Sequence, residues 1–136
     1  MQIIIASHSY MAEGIYDAAK MLSGSKNNVI VMKAYINSDN FETEFQQKMS
    51  EIPENEVVIV LTDLLGGSVN QVVMRYKGTH QMQIIAGINL YSVIKITQID
   101  ETKDIVEQLK NIVRQSEEQI LYINDVIKNR KEKNSV

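Results

Sequence analysis

The chain predicts a doubly wound α/β fold, a mainly parallel sheet with helices on both faces. Three observations predict it. Four short runs rich in β-branched residues recur, at residues 3–7, Val29–Ala34, Val57–Thr62 and residues 82–86. Each is almost continuously apolar, the pattern of a strand covered on both faces. Segments with helical spacing separate the runs, and that alternation implies right-handed βαβ crossovers.

The first run carries Ile3, Ile4, Ile5 and Ala6 without interruption. A helix over Met11–Ser23 follows, with Met11, Ile15, Ala18, Ala19 and Leu22 on one face and Gly24 as its stop. After the second run, Phe41, Phe45 and Met49 at four-residue spacing predict a helix over 40–51, ending before Pro53. The third run leads into a helix starting near Ser68, with Val69, Val72, Val73 and Tyr76 on its apolar side. A short helix starts near Asn89, and Ile105, Val106, Leu109, Ile112 and Val113 form the stripe of another over 102–118. Residues 120–123 (Ile, Leu, Tyr, Ile) read as a last short strand, at an edge or paired with another subunit.

No linker, repeat or low-complexity stretch divides the 136 residues, so the expectation is one domain over 1–136. The absence of cysteine rules out disulfides and thiolate metal sites. With only two histidines, a multi-histidine metal centre is not expected either. No apolar run approaches the roughly 18 residues of a membrane span, and no positively charged leader precedes the first strand, so a cytoplasmic protein is expected. The tail 128–136 holds four basic residues and one acidic, giving +3 and leaving −6 for the rest of a chain whose net charge is −3. An acidic body argues against nucleic acid as a partner, and the basic tail reads as a solvated, fraying helix end.

In an open sheet of this kind, sites form beyond the carboxyl ends of the strands, where strand order reverses. Three segments reach that rim: Ser7-His8-Ser9, the turn from Thr62 through Asp63, Leu64, Leu65, Gly66 and Gly67 to Ser68, and Gly87-Ile88-Asn89. His8 ends a buried strand before a helix and is a candidate phosphoryl-accepting nucleophile or a hydrogen-bonded structural residue. Asp63 could orient that imidazole or merely cap the turn. Gly66 and Gly67 permit positive φ and close approach to a ligand. Ser68 reads as the next helix's N-cap, with a hydroxyl in reach of a phosphoryl oxygen. Leu64 and Leu65 read as an apolar lip, or as ordinary core. His80 is expected in a solvated loop, and Arg75 and Lys77 as exposed helix charges. Neither G-x-x-x-x-G-K-[ST] nor G-x-G-x-x-G is present, and Ser7 and Ser9 lack a nucleophile-elbow context. No cofactor is expected. Phosphoryl transfer between protein histidines fits what remains, since it needs an imidazole and preorganised donors but no nucleotide on this chain.

Residues 3–8 followed by Ala12-Glu13-Gly14-Ile15, then residues 61–68, then residues 85–90, in that order, resemble the mannose-family IIA domains of the bacterial sugar phosphotransferase system. The resemblance implies that His8 is phosphorylated by HPr and passes the group to a IIB domain serving the membrane subunits IIC and IID. It implies that Asp63 orients the imidazole, that Ser68 contacts the phosphoryl group, and that the backbone of Ser9, Leu64, Gly66 and Gly67 lines the site. It further implies a homodimer in which a C-terminal strand, here 120–123, crosses to the partner's sheet. The chain departs from the family pattern in two places: Ser9 stands where Gly is usual, and Val69-Asn70-Gln71 where Pro-Phe-Asn is common. A His-Ser pair before Ala-Glu-Gly also resembles the IIA-like domain of the dihydroxyacetone kinase relay, which lacks the Asp-x-x-Gly-Gly-Ser turn. A phosphorylation-controlled regulatory module and a flavodoxin-type ligand-binding domain are the other readings.

Overall fold

The computed structural model describes residues 1–24, 26–37 and 40–134. In chain order its elements are β1 (Gln2–His8), α1 (Met11–Ser23), β2 (Val29–Ala34), α2 (Phe41–Glu51), β3 (Val57–Thr62), α3 (Ser68–Met74), β4 (Gln81–Ala86), α4 (Leu90–Ile96), α5 (Ile105–Glu117) and α6 (Ile123–Asn134). The four strands form one sheet in the order β2-β1-β3-β4. Every pairing is parallel, with His8 opposite Ala34 and Ala6 opposite Thr62. The predicted α/β class with helices on both faces is therefore observed.

The near-continuous apolar strands find the double cover they require. Ile4 and Ala6 pack with Phe41, Phe45, Met49, Val69 and Val73 under α2 and α3. Ile3 and Ile5 point the other way and pack with Ala12, Ala19, Val93, Ile96, Leu109 and Ile112 under α1, α4 and α5. Period-two alternation in the strands thus divides the core into two layers. The chain steps from β1 outward to β2, then back across β1 to β3. Right-handed crossovers in opposite directions place α1 on one face and α2 and α3 on the other. The reversal lies between β1 and β3.

Helix boundaries follow local capping chemistry. The Asn40 side chain accepts from Glu42 N at 2.9 Å, so α2 begins one residue after the expected start. α5 begins at Ile105 rather than 102, because Asp104 caps it through Glu107 N at 3.0 Å and Thr102 is held by Asp100 instead. Asn89 and Ser92 form a reciprocal capping box on α4.

The expected strand at 120–123 is not present in the single chain. Residues 120–122 are irregular and α6 starts at Ile123, with Asp125 N donating to Tyr122 O at 3.1 Å. A strand needs a ladder partner, and among the described residues none pairs with it. The Lys, Arg and Glu residues that follow favour helix instead. Ile120, Leu121, Tyr122 and Ile123 all remain exposed. The tail is helical and exposed through residue 133, while its last two residues, Ser135 and Val136, lie outside the described residues.

Phe45 is fully buried, with its ring 6.0 Å from Phe41 and 5.2 Å from Tyr76. Phe45→Ala is expected to lower unfolding free energy by about 3–5 kcal/mol, the range for emptying such a site. Urea denaturation measures it; a loss below about 1 kcal/mol would contradict the packing described.

Candidate functional site

His8 closes β1 at the reversal point, where crevices form in doubly wound sheets. Strand alternation sets its direction. Ile4 and Ala6 face the α2 and α3 layer, and His8 follows on the same side. Its side chain is 44% exposed, enough to meet a reacting partner.

Asp63, the residue after β3, reaches across to it. One oxygen, Oδ2, accepts from both the His8 backbone N–H and His8 Nδ1, each at 2.7 Å. Burial pushes the Asp63 carboxyl up. The His8 backbone N–H, the ring hydrogen bond and electrostatic attraction to the ring outweigh it, holding the carboxyl below its ordinary 3.8. An ionised Asp63 takes the proton side of Nδ1 and leaves the lone pair on Nε2. Ser68 Oγ lies 3.1 Å from Nε2, so its hydroxyl donates to that lone pair.

The turn between Asp63 and α3 is built to bring Ser68 there. Gly66 has φ +75, a conformation that suits glycine. A Cβ on Gly67 would crowd Leu64, 3.2 Å from its carbonyl oxygen and 3.3 Å from its Cβ, so the missing side chain lets the turn fold tightly on itself; His8 Cε1, at 3.6 Å, would be in ordinary contact. Gly67, not Ser68, is the N-cap of α3. Its carbonyl accepts the first helical bond, from Gln71 N at 2.9 Å. Ser68 is therefore the first helical residue, with its hydroxyl free of capping and turned to His8.

The backbone groups expected to line the site are largely engaged within the protein. Ser9 N donates to Ala34 O at 2.8 Å, Gly67 N to Leu64 O at 3.0 Å, and Gly66 N to Asn70 Oδ1 at 3.1 Å. Leu64 and Leu65 are exposed, at 61% and 78%, and form a lip rather than core. Ser9 adopts φ +54, which accounts physically for the glycine usual at that position.

Three further contributors carry little signal in the sequence. Buried Asn70 donates to Thr62 Oγ1 at 3.0 Å and braces the turn against β3. A polar residue between Val69 and Val72 on an apolar helix face is its one sign. Ser7 is buried and its hydroxyl accepts from Ala12 N at 2.7 Å, fixing the start of α1. Tyr35 places its ring 5.2 Å from the imidazole centroid.

Other expected residues lie elsewhere. Asn89 reaches the same rim, but its side chain caps α4 and donates to Ser116 O at 2.9 Å. His80 is not solvated: it is half-buried at the opposite end of the sheet, and Nε2 donates to Ile52 O at 2.8 Å. Arg75 is exposed as expected but sits one residue past the end of α3, paired with Glu42 at 2.8 Å. Among the described residues no cluster of three or more His, Cys, Asp or Glu could hold a metal ion. No helix among them is long and apolar enough to cross a membrane.

Residues 2–113 match the family model EIIA-man, described as the PTS system fructose IIA component. The PTS system fructose-specific EIIA component of Bacillus subtilis (strain 168) is 25% identical over 123 residues, covering 85% of this chain and 84% of that protein. The solved PTS IIA protein associated with the fucose utilization operon from Streptococcus pneumoniae has a TM-score of 0.77 at 27% identity, covering 93% of this chain and 96% of its own. The mannose/sorbose specific IIA subunit from Enterococcus faecalis has a TM-score of 0.74 at 24% identity, covering 88% and 92%. That last likeness bears on the fold alone.

A depressed Asp63 pKa makes stability depend on pH with a definite sign. Its contribution is present above the unfolded value of 3.8 and is lost as pH falls through the lower folded value. Asp63→Asn should therefore unfold more readily than wild type at neutral pH. The gap should begin to shrink near pH 3.8 and close only below the lower folded value, where the carboxyl is protonated in the folded state too. Denaturant midpoints from pH 7 down to pH 2.5 check this, and a constant gap would contradict it.

Proposed function

Because the chain belongs to the EIIA-man family of sugar phosphotransferase system IIA components, we propose that it carries a phosphoryl group on His8. It accepts the group from the phosphohistidine of HPr and passes it to a IIB domain, which serves sugar uptake through the IIC and IID membrane subunits. The carrying observation is the exposed imidazole held between Asp63 on Nδ1 and Ser68 on Nε2.

The Nε2 lone pair attacks phosphorus as the P–N bond to the donor histidine breaks, and the electrons of that bond return to the donor ring. The Nδ1 proton stays in place. Positive charge developing on the His8 ring is balanced by Asp63, already ionised and aimed at Nδ1. As Nε2 gives up its lone pair, Ser68 Oγ–H loses that acceptor and turns to an incoming phosphoryl oxygen. Transfer to IIB reverses the same steps. This chemistry needs positioning and electrostatics and no cofactor on this chain.

The acidic body suits a donor with a basic docking face. The presence of Asp63 with the Gly66-Gly67-Ser68 turn favours sugar uptake over the dihydroxyacetone kinase relay, despite Ser9. We further propose that residues 1–136 act as one cytoplasmic domain in a homodimer. Exposed Ile120, Leu121, Tyr122, Ile123 and Ile127 would then be covered by the second copy.

Incubation with phosphoenolpyruvate, enzyme I and HPr should yield an acid-labile, alkali-stable phosphate on wild type and none on His8→Ala. A stable adduct in acid, or an undiminished one in His8→Ala, would remove His8 from this role. Asp63→Ala should stay folded and accept phosphate about 100-fold more slowly, the scale for losing one preorganised electrostatic partner.

A further inference from the structure

We infer that Tyr35 is a positioning residue for phosphoryl transfer, holding the His8 imidazole by a ring-to-ring contact; this rests on the phosphocarrier reading above. Its ring centroid lies 5.2 Å from that of the imidazole at a 42° tilt. That is within the 4.5–7 Å range over which aromatic rings attract one another.

The backbone is bent to make this contact. Met32 and Ala34 face the α2 and α3 layer, so in continued extended backbone residue 35 would face the opposite side of the sheet. Tyr35 instead adopts φ +65. For a bulky residue that is a genuine outlier, with a strain on the order of 1 kcal/mol. The kink swings the ring back onto the side occupied by His8. Because His8 and Ala34 are register partners, the ring arrives beside the imidazole. Strain in an exposed residue that is not glycine points to a role for its side chain. At 51% exposure, burial does not explain this one.

Tyr35 is itself anchored. Its ring lies 6.5 Å from Phe41, which lies 6.0 Å from Phe45, which lies 5.2 Å from Tyr76. Phe41 and Phe45 are buried, so the last ring of the series is referenced to the core.

The chemistry leaves a place for such a contact. Asp63 fixes one ring atom, Nδ1, about which the imidazole can still rock. Ser68 restrains Nε2 only while that atom keeps its lone pair. Once the N–P bond forms, Ser68 bonds the phosphoryl oxygen and no longer the ring itself. A ring-to-ring contact does not use the Nε2 lone pair, so Tyr35 restrains the imidazole before and after transfer.

The test uses Tyr35→Ala and Tyr35→Phe in the full chain. NMR of the unphosphorylated protein should show the His8 ring protons shifted in Tyr35→Ala and nearly unmoved in Tyr35→Phe. In the HPr-dependent reaction, Tyr35→Ala should lower kcat about tenfold, since misplacement of a reacting group is read there. KM for phospho-HPr should stay constant, and Tyr35→Phe should restore the rate. Unmoved ring protons, or unchanged kcat, overturn the inference. A raised KM with unchanged kcat also overturns it, making Tyr35 a docking contact. Failure of wild type itself to accept phosphate removes the phosphocarrier reading instead, and the ring-proton shifts distinguish the two failures.

Discussion

The site depends on one carboxylate oxygen that takes two hydrogen bonds from a single residue. Asp63 Oδ2 receives both the backbone N–H and the ring Nδ1 of His8. The end of β1 and the orientation of its imidazole are thereby referenced to the same atom. Hydrogen bonds to a charged acceptor contribute about 1.5–3 kcal/mol each, against the desolvation of a carboxylate whose side chain is 10% exposed. The lowered pKa shows which effect wins. The arrangement is available only where β1 and β3 are neighbours and both strands end at one rim, so it presupposes the strand order.

What the carboxylate does for one ring nitrogen, the turn does for the other, through backbone fit. Gly67 has no Cβ to crowd Leu64 within the turn, Gly66 supplies a left-handed residue, and Asn70 ties Gly66 to the end of β3. Val69, where the family commonly has proline, is fully buried in the α2 and α3 layer. Core packing thus holds the start of α3 at a position where proline would have preset the backbone. The loop chemistry rests on rigid elements on both sides, as preorganised sites require.

Much of this is legible in the amino-acid sequence. The strands declare themselves through β-branched runs, and His8, Asp63 and Ser68 through their places at strand ends. Less legible are features set by partners distant along the chain. Ser68 looks like an N-cap, and only the bond from Gln71 N to Gly67 O moves the cap back by one. His80 reads as solvated because its acceptor, Ile52 O, is 28 residues away. The apolar run at 120–123 has the composition of a strand, but composition supplies no ladder partner. Tyr35 gives no signal, because tyrosine is an ordinary residue at a strand end.

Tyr35 belongs to a pattern that residue types conceal. Three of the four strands are followed at once by a left-handed residue: Ser9 after β1 (φ +54), Tyr35 after β2 (φ +65) and Gly87 after β4 (φ +73). Such a residue breaks the period-two alternation and ends the strand. Only at Gly87 does the amino acid announce the conformation. β3 is the exception, and the residue after it is Asp63, which is not among the left-handed residues. With no such kink, the carboxylate stands beside its neighbouring strand and meets His8, while the kink at Ser9 turns the chain away into α1. The kink at Tyr35 brings a ring in from the other side. The imidazole is thus bracketed by one strand end that continues and one that reverses, and the conformational differences among strand ends determine the site as much as the side chains do.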